Sequence, residues 1–163
     1  FYFPFKNTIN KQLLLLLFFA LSLNSNGAFS ALIRPHIELT PLSVVKHQLD
    51  ALMTNDIPYA NAGIDQVWAL AHPNNKRITG PINRFANMIH STPYRFLLNH
   101  KSHQIKLIRK KENLHIFDVG IVSSTNKMIF FEWHVKRAES DWECANCWLT
   151  VSVSLPREVD KSI

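Results

Sequence analysis

Ile129, Phe131, Trp133 and Val135 alternate with Met128, Phe130, Glu132, His134 and Lys136, and no other feature of the chain restricts its fold as much. A period of two sends successive side chains to opposite faces of a sheet. One of these faces is wholly apolar and must be covered; the other carries the charges and stays partly wet, as in many antiparallel sheets. Ala138, Glu139, Ser140 and Asp141 interrupt the pattern, and apolar character resumes from Trp142 through Leu149, Val151, Val153 and Leu155. Residues 127–155 are therefore predicted to form a β-hairpin. Whatever precedes the hairpin has to supply its cover.

The preceding chain reads as helices. Thr40-Pro41 suits a helix start, with Thr as N-cap and Pro at the first helical position, where its missing N–H costs nothing. Leu42, Val45, Leu49 and Leu52 then form a narrow stripe to about residue 55, with Lys46, His47, Gln48 and Asp50 off it. Ile64, Val67, Trp68 and Ala71 repeat the spacing over 63–72, before Pro73, and residues 73–77 read as a turn. Gly80-Pro81 opens a third helix over 81–91 with Ile82, Phe85, Ala86 and Ile89 on one side. Strand-like runs follow at 94–98, 105–108 and 114–122, ahead of the hairpin. Three helices followed by four or five strands predict an α+β fold, the helices lying on one face of a curved antiparallel sheet and meeting Ile129, Phe131, Trp133 and Val135 there.

With 163 residues, 47% of them hydrophobic, the chain suffices for one domain with a real core. Its net charge of +6 falls to +4 from residue 29 onward, where 16 basic residues face 12 acidic ones; this is mild basicity. Residues 13–23 are hydrophobic except for Ser22, with Lys6 and Lys11 before them and Asn24, Ser25, Asn26, Gly27 and Ala28 after. That layout is a secretory signal peptide over 1–28. It is short of the roughly 20 apolar residues of a membrane-spanning helix, so no permanent anchor is expected. Gly27-Ala28-Phe29-Ser30-Ala31 resembles the presequence junction of algae with secondary plastids, which implies the secretory pathway with secretion or plastid import as its end. Residues 29–39 then read as a linker or short transit segment, 40–155 as the domain, and 156–163 as a tail.

Val44-Val45-Lys46-His47-Gln48-Leu49-Asp50-Ala51-Leu52 with Asn55-Asp56, Ser91-Thr92-Pro93-Tyr94-Arg95-Phe96-Leu97-Leu98-Asn99-His100-Lys101, and Trp142 after a polar turn carry a family resemblance. They resemble an uncharacterised domain family that also forms the C-terminal part of a plant F-box protein, and that family resembles the nuclear transport factor 2-like (cystatin-like) superfamily. The resemblance spans about residues 41–155 and implies a cone-like α+β domain. The chain leaves little room for a hairpin between helices two and three, and it has no F-box, so nothing about ubiquitin ligation follows.

Residues that could carry chemistry are few. Cys144-Ala145-Asn146-Cys147 has CxxC spacing, but a strand holds residues three apart on opposite faces, about 10 Å from one another. Buried structural cysteines are favoured over a disulfide, which would need a bulge or turn, and over metal or thiol chemistry, because no second CxxC exists. His100 and His103 have a ligand-like interval but no carboxylate nearby in sequence; no metal and no cofactor is predicted. Arg95, Lys101, Lys106, Arg109, Lys110 and Lys111 form a basic stretch with thin aromatic interleaving, which disfavours nucleic acid and suits a solvated edge strand. An isomerase- or dehydratase-type enzyme would need a pocket carboxylate or His, for which Asp118 and His115 are the candidates. The favoured reading is a non-catalytic module for an apolar small molecule or a protein partner, its cavity lined by Trp68, Phe85, Phe117, Phe131 and Trp133. A homodimer through the sheet is a further expectation.

Overall fold

The computed structural model describes residues 31–158; the leader expected over 1–28, with 29–30, and the last residues of the tail, 159–163, lie outside them. Helix α1 (Pro41–Met53) starts as the sequence implies, the Thr40 side chain accepting the Ser43 N–H at 3.1 Å. Its buried arc differs from the expected stripe. Val44, Val45, Gln48, Leu49 and Leu52 are inside, whereas Leu42 is 51% exposed. The reason is that α1 packs both on β3 and β4 and on the next helix, so two adjacent rows of side chains are covered instead of one.

Helix α2 (Ala62–Ala69) buries Ile64 and Val67. It has no side-chain cap of its own, since Asn61 is left-handed at φ 67°. The buried Asn55 does that work from the end of α1, its Oδ1 accepting the Ile64 N–H at 3.2 Å and its carbonyl accepting the Gly63 N–H at 2.9 Å.

The stretch 73–77, read as a turn, belongs to helix α3 (Pro73–Thr79). His72 is its N-cap, accepting the Asn74 N–H at Nδ1, and Pro73 is pre-set for the first turn. With no buried residue in α3, there was no apolar periodicity to read. Helix α4 (Ile82–His90) buries Phe85 and Ile89, so the described residues hold four helices ahead of the sheet instead of three. The run 94–98 is also corrected: Tyr94–Leu97 is a 3₁₀ turn. The Arg95 N–H donates to the Ser91 carbonyl and the Leu98 N–H to that of Arg95, and this tight return overrides the β preference of Tyr94 and Phe96.

The sheet is antiparallel, in the order β1 (Ser102–Lys111), β2 (Leu114–Val122), β3 (Met128–Arg137), β4 (Trp148–Val153), and β5 (Arg157–Glu158) pairs with β3 beyond the end of β4. Ile129, Phe131, Trp133 and Val135 are fully buried on the helix side, while Glu132 and His134 lie half-buried on the other face. The hairpin register is therefore the expected one. Its second strand is shorter than predicted, because 142–147 forms turns before Trp148. Asn146 takes a left-handed φ of 63°, a conformation Asn tolerates better than most residues. This brings the Cα atoms of Cys144 and Cys147 to 5.5 Å, and the two are joined by a disulfide. The strand-borne structural cysteines are thereby corrected. Among the described residues, no helix is long and apolar enough to cross a membrane.

Candidate functional site

Between the helices and the sheet lies a cavity of about 180 Å³, walled by Leu52, Val67, Ala71, Phe85, Met88, Ile89 and Leu97, and closed on the sheet side by Trp133 and residues 150–153. Asn75, Thr79 and Ser152 also border it, and three buried polar groups meet at its wall. Gln48 and Thr150 are 0% and 1% exposed, and they hold each other and the indole. Trp133 Nε1–H donates to Gln48 Oε1 at 2.9 Å and to Thr150 Oγ1 at 3.1 Å, and the Thr150 hydroxyl donates to Gln48 Oε1 at 2.6 Å. The other end of the amide is occupied too, Gln48 Nε2 donating to the Val67 carbonyl at 3.0 Å. Buried polar groups cost little only when paired, and these are paired among themselves. Tyr94 lines the cavity with its hydroxyl donating to the Val153 carbonyl, and burial pushes its pKa up.

Of the five aromatic residues named from the sequence, Phe85 and Trp133 line this cavity; Trp68, Phe117 and Phe131 do not. Trp68 packs on Phe85 at 5.1 Å between ring centres, Phe131 is fully buried against Tyr94, and Phe117 is buried near His115. Gln48 and Thr150 were not anticipated. Gln48 did leave a signal: it stands four residues after Val44 and four before Leu52, the spacing of a buried row.

Asp118 lies on the face of the sheet away from the helices, opposite Glu132 in the β2–β3 register, and is ion-paired with Arg157 at 2.5 Å. His115 lies on the helix side, its ring 4.8 Å from that of Trp148. The two residues do not share a site, and neither lines the cavity.

His100 and His103 form a hydrogen-bonded relay. A carbonyl only accepts, so the bond of 2.7 Å to Leu97 puts a hydrogen on His100 Nδ1; His100 Nε2 then accepts from His103 Nδ1 at 2.8 Å. His103 Nε2 faces Asp50 at 3.5 Å, and Asp50 is held by Lys46 at 2.6 Å. Burial, more than any neighbour, pushes both histidines below the usual imidazole pKa. Among the described residues, no group of three His, Cys, Asp or Glu is placed to hold a metal ion.

An α+β domain with helices on one face of an open antiparallel sheet, enclosing a small apolar cavity, is the class that fold and site define. Residues 38–155 match the family model of a domain of unknown function, DUF4864, and the chain belongs to that family. Neither a curated protein nor a solved structure matches it.

Proposed function

We propose that this domain is a non-catalytic module that takes up a small apolar molecule between its helices and its sheet. The observation that carries this reading is the mostly apolar cavity of about 180 Å³, whose buried polar groups, Gln48, Trp133 and Thr150, are already satisfied within the protein. A dry apolar cavity of about 150 Å³ admits a benzene-sized guest, while drug-sized ligands need about 300 Å³ or more. The occupant is thus a single-ring or short-chain compound. The placement of Asp118 and His115 outside the cavity favours binding over an isomerase- or dehydratase-type reaction. The resemblance of the sequence to nuclear transport factor 2-like domains, where the space between a bent sheet and its helices can admit an apolar ligand, agrees with this reading, and the Cys144–Cys147 disulfide agrees with a life in an oxidising compartment.

Filling the cavity tests the proposal. Ala71 is buried on the wall, and Ala71→Leu should occupy part of the space. Toluene is expected to raise the thermal midpoint of the native protein and to leave that of Ala71→Leu unchanged. Native mass spectra without a co-purifying molecule, together with no stabilisation by any single-ring probe, would retire the module.

A further inference from the structure

Where β1 and β3 end and β2 and β4 begin, an open groove of about 560 Å³ is lined by Pro41, Lys110, Lys111, Glu112, His115, Arg137 and Trp148. Cross-strand register assembles it: Lys110 stands opposite His115, and Arg137 opposite Trp148. The Arg137 guanidinium lies 4.5 Å from the centre of the Trp148 ring and donates to the Asn146 carbonyl at 2.9 Å. It is therefore held in place, stacked and anchored, before any ligand arrives.

The charge of the groove is not balanced. Three cations face one carboxylate, and among the described residues none of Lys110, Lys111 and Arg137 is ion-paired. His115 registers this imbalance, its pKa pushed down first by burial and then by Lys110 and Arg137. Lys110 shares the helix-side face with His115, whereas Lys106, Arg109 and Lys111 stand in register with Asp118, Ile116 and Leu114 on the other face, Lys111 bordering the groove from the end of its strand; the basic stretch of the sequence is thus divided between two faces and makes no continuous track for a polyanion.

We propose that this groove is a second binding site, for a compact phosphate-type dianion carried on a small molecule, with Lys110, Lys111 and Arg137 as its cationic contacts and His115 as a hydrogen-bonding partner. The excess of two positive charges matches a dianion, and a fixed guanidinium beside two mobile ammonium groups suits tetrahedral oxygens. The volume exceeds the needs of a bare ion, which leaves room for an organic body.

His115 supplies the readout. A bound anion favours the charged imidazole, so NMR titration in the presence of sulfate, which stays doubly charged throughout, is expected to raise the His115 midpoint relative to chloride at equal ionic strength. Phenyl phosphate is expected to shift the Trp148 indole resonance. Both residues substituted here are exposed, so the Lys110→Gln, Lys111→Gln double variant should fold, as far-UV circular dichroism can check. It should weaken phenyl phosphate binding by about tenfold or more, as loss of charge-assisted contacts implies. An unmoved His115 midpoint overturns the proposal, as does a shift that survives in the double variant. Binding of single-stranded oligonucleotides without binding of phenyl phosphate would likewise overturn it, in favour of a polyanion surface.

Discussion

At the scale of single residues, the arrangement that most restricts the core is the triangle of Gln48, Trp133 and Thr150. An indole N–H inside an apolar wall needs an acceptor, and burying it unpaired costs about 1–3 kcal/mol. Here both Gln48 and Thr150 accept it, and the Thr150 hydroxyl closes the ring of bonds. Gln48→Leu preserves size and adds apolar surface, yet it strips the Thr150 hydroxyl of its acceptor and the Val67 carbonyl of its donor. We expect it to destabilise the protein by about 1–3 kcal/mol in urea unfolding. If the wall were held by hydrophobic burial alone, the same change would be neutral or stabilising, so the sign of the shift decides the matter.

At the scale of elements, α1 and α2 pack so closely that a side chain has no room at the crossing. A Cβ on Gly63 would collide with the Ala51 carbonyl and come within 2.9 Å of Asn55 Oδ1, the group that caps α2. In an open helix, Gly→Ala stabilises by about 0.5–1 kcal/mol. At Gly63 the clash is with backbone, which cannot swing aside, and Gly63→Ala is predicted to cost about 1–3 kcal/mol instead. A thermal midpoint equal to or above the native one would show that the two helices can separate without penalty.

At the scale of the whole molecule, four histidines share one dependence on pH. His72, His100, His103 and His115 are each pushed below 6.5, burial being the first cause in every case. Glu139 pulls His72 the other way and Asp50 does so for His100 and His103, while Lys136 adds to the depression of His72, Lys46 to that of His103, and Lys110 and Arg137 to that of His115. Below 6.5 the unfolded chain binds protons that the folded chain refuses. Stability is therefore fully present above that value and is lost as pH falls through it toward the folded-state midpoints. Glu139, held low chiefly by Lys136, adds its own loss only at lower pH, below 4.5. The urea midpoint is expected to drop between about pH 7.5 and about pH 5.5, a span that brackets the reference imidazole value. A midpoint that holds or rises across this span would mean that the imidazoles are solvated in the folded protein.

The sequence alone determined the α+β class, the start of α1 at Thr40 and the register of β3, because each rests on a local signal: a capping side chain, a periodicity, or a strict alternation of faces. It misread 73–77 and 94–98, where short helical turns carry little or no buried stripe, and the CxxC segment, where one left-handed Asn turns a strand into a loop. Only the tertiary structure decided the sites. Gln48 meets Trp133 across 85 positions and Thr150 across 102, and Lys110 is brought to the face of Arg137 and Trp148 through the pairing of four strands. The same pairing sent Asp118 to the outer face and away from the cavity. Periodicity tells which way a side chain points from its own strand or helix; which groups it meets depends on how distant segments are brought together, and no local pattern encodes that.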